Sequence, residues 1–161
     1  MLGNYKVQRT YQRFFQNNKY IFNQLLKYKK KGNFQFKPTD NLASVCNAPK
    51  DCSGLYVIYA LEKGKINLIY IGISGRRGED GKIAHRKDGL RGRFLKGKTN
   101  GVLRKTYWPQ QMLKENIEAL DIYWYVTHDG LVKDFPRDLE IELLMQYQAI
   151  YGCLPRWNSK I

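Results

Sequence analysis

Two tyrosines, Tyr56 and Tyr70, lie in neighbouring segments that are built to pair: Leu55-Tyr56-Val57-Ile58-Tyr59 and Ile66-Asn67-Leu68-Ile69-Tyr70-Ile71. Both segments are rich in β-branched and aromatic residues. Between them Glu62-Lys63-Gly64-Lys65 has its glycine where a hairpin turn wants one, so the pair should form an antiparallel hairpin. Alternation puts Tyr56 and Ile58 on one face and Val57 and Tyr59 on the other, so one tyrosine from each strand could converge on one spot. A phenol is ionised only about once per 10³ molecules at pH 7, a deficit of roughly 4 kcal/mol. Neighbouring cations lower that barrier, and a phenol so placed can accept a proton or hold a phosphate oxygen. The blander reading is that hairpin tyrosines are strand formers with satisfied hydroxyls.

The triplets framing this hairpin, Gly54-Leu55-Tyr56 and Tyr70-Ile71-Gly72, resemble those of the GIY-YIG nucleases, a family that hydrolyses phosphodiester bonds in DNA. The resemblance continues downstream and covers roughly residues 54–158. The family carries an arginine three residues after a leucine and just before an apolar residue, at the start of a helix; Leu90, Arg93 and Phe94 fit, with Arg91 as the fallback. A guanidinium suits that place because it stays charged and presents a rigid fork of donors to a phosphate. The stretch from Pro136 to Tyr147 opens with helix-start signals, a proline and early acidic residues. There the family has a glutamate followed three and four residues later by aliphatics, then a turn and an asparagine after a proline. Glu140, Leu143, Leu144, Pro155 and Asn158 reproduce this, whereas the aliphatics after the competing Glu142 fall one and two residues on.

The resemblance implies a catalytic set of Tyr56, Tyr70, Arg93 and Glu140, with Glu140 as metal ligand. It also implies that Tyr56 is the general base and Tyr70 a phosphate or water ligand; the residues alone do not rank the two. Phosphodiester hydrolysis needs a deprotonated water, a Lewis acid and charge stabilisation, and a hard carboxylate oxygen suits Mg²⁺ or Mn²⁺. One carboxylate implies one ion per site. The chain departs from the family in having Ile73 directly after the second triplet and Gly97 beyond the arginine, where many relatives have lysine and histidine. An auxiliary cation is therefore unassigned, with Lys82, His85 and Lys96 as candidates. The stretch from Ser74 to Gly89 is longer than in compact relatives and looks like the insertions of some restriction enzymes.

Composition agrees with a nucleic-acid substrate. There are 28 Lys plus Arg against 14 Asp plus Glu, a formal charge of +14 that exceeds what solubility requires. From Met1 to Lys50 the only acidic residue is Asp40, and a second basic tract runs from Arg76 to Lys105. Two such patches suit a grip on double-stranded DNA either side of the reacting phosphate, with strong salt dependence. The expected DNA-contacting residues are Gly72, Arg76, Arg77, Lys82, His85, Arg86, Arg91, Lys96 and Asn158. The function read from this is a metal-dependent DNA endonuclease, sequence-specific and of type II restriction kind. The alternatives are a non-catalytic basic nucleic-acid-binding module and a repair or mobile-element nuclease of the same family. A palindromic target would favour a homodimer.

The elements that must position these residues are few. The chain of 161 residues should be a single compact α+β domain, with residues 51–161 as the catalytic core and 1–50 as a basic helix and connection packed on it. The resemblance implies a small three-stranded antiparallel sheet flanked by helices, whose third strand would be Ile122–Val126. The apolar spacing of Tyr11, Phe14, Phe15, Ile21, Phe22, Leu25 and Leu26 predicts an N-terminal accessory helix, and Gly32 to Asp51 reads as a connection. Gly101 to Asn116 reads as a helix interrupted at Trp108-Pro109. No segment has the apolar length of a signal peptide or membrane span, which places the chain in the cytoplasm and off the membrane. Cys46, Cys52 and Cys153 lack paired-ligand spacing and read as reduced thiols.

Overall fold

The computed structural model of the chain describes residues 23–161. Asn23–Lys27 form a 3-10 turn, so most of the expected accessory helix, from Tyr11 to Phe22, lies outside the described residues. Strand β1 (Lys31–Phe36) and a short helix α1 (Leu42–Val45) follow. Strands β2 (Ser53–Glu62) and β3 (Lys65–Ser74) pair antiparallel, as their composition predicts. Their turn has positive φ at both central residues, Lys63 (47°) and Gly64 (75°), the conformation whose twist matches that of the strands. The chain then passes through a two-residue ribbon, β4 (Arg76–Arg77) and β5 (Ile83–Ala84), to helix α2 (Gly89–Leu95). A second ribbon, β6 (Lys98–Thr99) and β7 (Val102–Leu103), leads into α3 (Arg104–Glu115). Strand β8 (Ala119–His128) and helix α4 (Pro136–Tyr151) complete the fold.

The fold is α+β, but its main sheet has four strands in the order β1-β8-β2-β3 rather than three. The extra strand is β1, taken from the segment expected to be a connection. Its Phe34 and Phe36 face the core while Asn33 and Gln35 face out. That alternation is present in the sequence, but a lysine run precedes it and Pro38 closely follows it. Helix α3 also corrects an expectation: it runs through Pro109 without interruption.

Alternation along β2 divides the core. Tyr56, Ile58 and Ala60 join Phe94, Trp108 and Met112 beneath α2 and α3; Leu55, Val57 and Tyr59 join Leu139, Leu143 and Leu144 beneath α4. Strand β3 switches faces through a bulge. Ile58 pairs with Tyr70 and Tyr59 with Leu68, leaving Ile69 without a partner residue on β2. The extra residue lets Ile66 and Leu68 reach the α4 side while Tyr70 turns to the α2 side beside Tyr56, the re-aiming that bulges commonly perform. Among the described residues no helix is long and apolar enough to cross a membrane. All three cysteines are free thiols.

Candidate active site

Strand pairing sets Tyr56 directly opposite Gly72, with Tyr70 on the diagonal, and the two phenol rings lie 5.9 Å apart. Gly72 makes this possible. A Cβ there would fall 2.5 Å from the Tyr56 Cζ and hydroxyl and 2.5 Å from Tyr70 Cε1. Gly54 is equally constrained on the other side of β2: a Cβ there would run into the carbonyl oxygen of Tyr125 and lie 3.1 Å from Val126 Cα. Both glycines of the triplets are thus close-approach positions, and Gly72 is a buried seat for the tyrosines rather than an exposed contact surface.

Tyr56 is fully buried, with the Phe94 ring edge-on at 4.7 Å. Its hydroxyl has no hydrogen-bond partner in the protein, and neither has the buried Nε of Arg93. Arg93 comes from α2, on the face that also supplies Leu90 and Phe94 to the core. A second guanidinium, which the sequence did not single out, stands beside it. Arg104, the first residue of α3, is 2% exposed, and its guanidinium carbon lies 5.4 Å from the Tyr56 ring centre, 5.9 Å from that of Tyr70 and 5.3 Å from that of Trp108. Its Nη1 donates to the Arg93 carbonyl at 3.3 Å, and its Nε has no partner.

These charges separate the two phenols. Burial opposes ionisation of Tyr56, but Arg104 and then Arg93 outweigh it, so its pKa lies below the ordinary tyrosine value. Tyr70 is pushed well up, first by the adjacent Tyr56 oxygen, then by burial, with Glu140 adding to both against the two arginines. The same surroundings thus favour ionisation of one phenol and oppose that of the other.

Glu140 reaches the same place from α4. It lines, with Tyr70, Arg93, Arg104 and Arg137, a cleft of about 480 Å³ beside strand β3. It is 8% exposed and accepts from Arg137 Nη1 at 2.6 Å. Burial raises its pKa against the pull of Arg137 and Arg93. Glu142 is exposed and accepts from Gln24. Among the described residues no three His, Cys, Asp or Glu side chains cluster as a metal cage. A hard ion held by one carboxylate, retaining most of its waters, does fit this donor set, because Glu140 is a partly desolvated oxygen ligand facing an open cleft.

The raised pKa of Glu140 carries a stability cost. The folded state holds its proton to higher pH than the unfolded chain, so stability falls as pH rises through that interval and the cost stands in full above it. Glu140→Gln is therefore expected to stabilise the metal-free protein at pH 7, since the half-exposed Arg137 can return to water. The gain should vanish below about pH 4, where the carboxyl is protonated in both states. Urea unfolding with a chelator present, at both pH values, checks this.

The remaining residues divide by what they touch. Arg76, His85 and Arg86 line a second cleft of about 460 Å³, which shares Arg93 with the first. His85 is oriented by Ser53, Nδ1 to Oγ at 2.7 Å. Burial and then repulsion from Arg93 and Arg104 lower the pKa of Arg86, which puts it in the same field. Lys82 is exposed. Arg77 pairs with Asp138 at 2.9 Å and lies over the Phe135 ring, Lys96 pairs with Asp88, and Arg91 donates to the carbonyls of Cys46 and Ala43. Asn158 is fully engaged: its Oδ1 accepts from Ile71 N and its Nδ2 donates to Ile71 O, each at 2.9 Å. With Trp157 N donating to the carbonyl of the bulged Ile69 at 2.8 Å, the C-terminal segment closes the open edge of β3.

Comparison with protein-family models, with curated proteins and with solved structures found no match. Any functional reading of this chain stands on its residues and their geometry.

Proposed function

We propose that this chain is a metal-dependent endonuclease of GIY-YIG type that hydrolyses phosphodiester bonds in double-stranded DNA. The observation that carries the reading is the convergence of Tyr70, Arg93 and Glu140, from three separate elements, on one cation-rich cleft, with the buried Tyr56 ring packed against Tyr70 at 5.9 Å. In the proposed reaction the Tyr56 oxygen takes the proton of the attacking water. Tyr70, held neutral, keeps a hydroxyl to donate to a phosphate oxygen or to that water. Arg93, which lines the cleft, would stabilise the charge that builds on the phosphate in the transition state. Glu140 would hold one Mg²⁺ or Mn²⁺, which supplies Lewis-acid chemistry at the phosphate when bound. Arg76, His85 and Arg86 offer a basic surface for the flanking backbone, and the excess of positive charge makes binding strongly salt-dependent. A restriction-type role, with a dimer on a palindromic target, fits this chemistry.

The test is cleavage of a long plasmid at low salt with Mg²⁺ by wild type and Glu140→Ala. Discrete, metal-dependent bands that disappear in the variant are expected of a site-specific enzyme with Glu140 as ligand, and a smear of a non-specific one. Binding without cleavage in either Mg²⁺ or Mn²⁺, across plasmids of varied sequence, would overturn the enzyme reading in favour of a nucleic-acid-binding module.

A further inference from the structure

We propose that Arg104 is a positioning residue that holds Tyr56 as a phenolate, so that the site carries its base before any substrate arrives. This rests on the nuclease reading for its purpose, though not for its geometry. Three buried polar groups on adjoining elements lack partners in the protein: the Tyr56 hydroxyl, Arg93 Nε and Arg104 Nε. Two are fixed donors on cations, and the third is the only one of them that can change its charge. Neither arginine has a carboxylate partner among the described residues. A buried, unpaired guanidinium is costly, and loss of one proton from Tyr56 to solvent supplies the missing counter-charge.

The charged and titratable groups facing Tyr56 are Tyr70 from β3, Arg86 before α2, Arg93 from α2 and Arg104 from α3. Three are cations, and Tyr70 remains neutral. Of the cations, Arg93 lines both clefts, whereas Arg104 lines only the first, is 2% exposed and packs against Tyr56, Tyr70 and Trp108. Arg104 is thus placed to act on Tyr56 whether or not DNA is present. In the reaction the phenolate accepts a proton from the water whose oxygen forms the new P–O bond, and the departing oxygen leaves with the electron pair of the broken bond. The phenol then reloads by losing its proton to solvent.

The test is an ultraviolet phenolate titration of the protein alone, without DNA or metal, from about pH 6 to about pH 11, comparing wild type with Tyr56→Phe. One tyrosine ionising ahead of the others in wild type, and absent from Tyr56→Phe, is expected. In Arg104→Met that ionisation should move up by about one pH unit or more, and Arg104→Lys should retain part of the effect. The acid limb of the cleavage pH profile should move with it. A Tyr56 ionisation at or above the ordinary range in wild type overturns the proposal, and this arm stands even where Arg104→Met fails to fold. An unchanged ionisation in folded Arg104→Met also overturns it. Because the readout needs no substrate, an early phenolate in a protein that cuts no DNA would sink the nuclease reading alone, and active enzyme without one would sink only the role of Arg104.

Discussion

Tyr56→Phe is expected to lower the single-turnover cleavage rate by about 10²–10⁴-fold, the usual contribution of a positioned general base, while the protein stays folded. The separation of the two effects follows from where the hydroxyl sits. The ring is what packs: it fills the space over Gly72, meets Phe94 edge-on at 4.7 Å and lies 5.9 Å from Tyr70, and phenylalanine keeps all of this. The hydroxyl has no hydrogen-bond partner in the protein, so deleting it orphans no protein donor that it had satisfied. At a pH where Tyr56 is a neutral phenol, stability should therefore change by no more than about 1 kcal/mol, read as a shift in the urea midpoint. At higher pH, where its phenolate offsets Arg93 and Arg104, the loss should be larger, because the two guanidiniums are left without a counter-charge. Tyr70→Phe is the comparison. It removes a donor rather than a base, and a larger rate loss there than in Tyr56→Phe would reverse the roles assigned to the two phenols.

What the sequence discloses about this site depends on how local the signal is. The β2–β3 hairpin, the start of α2 and the whole of α4 are written in short-range patterns: β-branched runs around a Lys-Gly turn, and a proline opening an apolar period. The same period distinguishes Glu140 from Glu142, because only Glu140 shares a face with Leu143 and Leu144 and is drawn into the sheet-facing side of the helix. The bulge at Ile69 has no such signature. It is a compromise between Leu68, which must reach the α4 layer, and Tyr70, which must reach the α2 layer, and it exists only once both layers are present. Arg104 is hidden for the same reason. In the sequence it is one of two adjacent cations, Arg104-Lys105, in a basic tract; only the packing of α3 against the tyrosines buries the first and exposes the second. Strand β1 is hidden differently, since its alternating phenylalanines are too few to outweigh their polar flanks.

Gly72→Ala provides the sharpest test of whether that packing, rather than the residue list, makes the site. The new methyl would need space already held by the Tyr56 hydroxyl end and by Tyr70, both 2.5 Å away. Tyr56 has little room to yield, with Phe94 on one side and Arg104 at 5.4 Å on another, so either the ring turns away from the two guanidiniums or β2 and β3 part locally. Overpacking of this kind typically costs about 1–3 kcal/mol of stability. Misplacing the base by as little as about 1 Å costs on the order of 10²-fold in rate. Gly130→Ala, where a methyl would meet nothing within 4 Å, is the control and should behave as wild type in both assays. The decisive comparison is the double variant. If Gly72 acts by seating Tyr56, adding Gly72→Ala to Tyr56→Phe should cost little further cleavage, because the base it would displace is already gone. Full additivity of the two losses would mean that Gly72 contributes through something other than Tyr56, such as the placing of Tyr70, whose Cε1 is equally close.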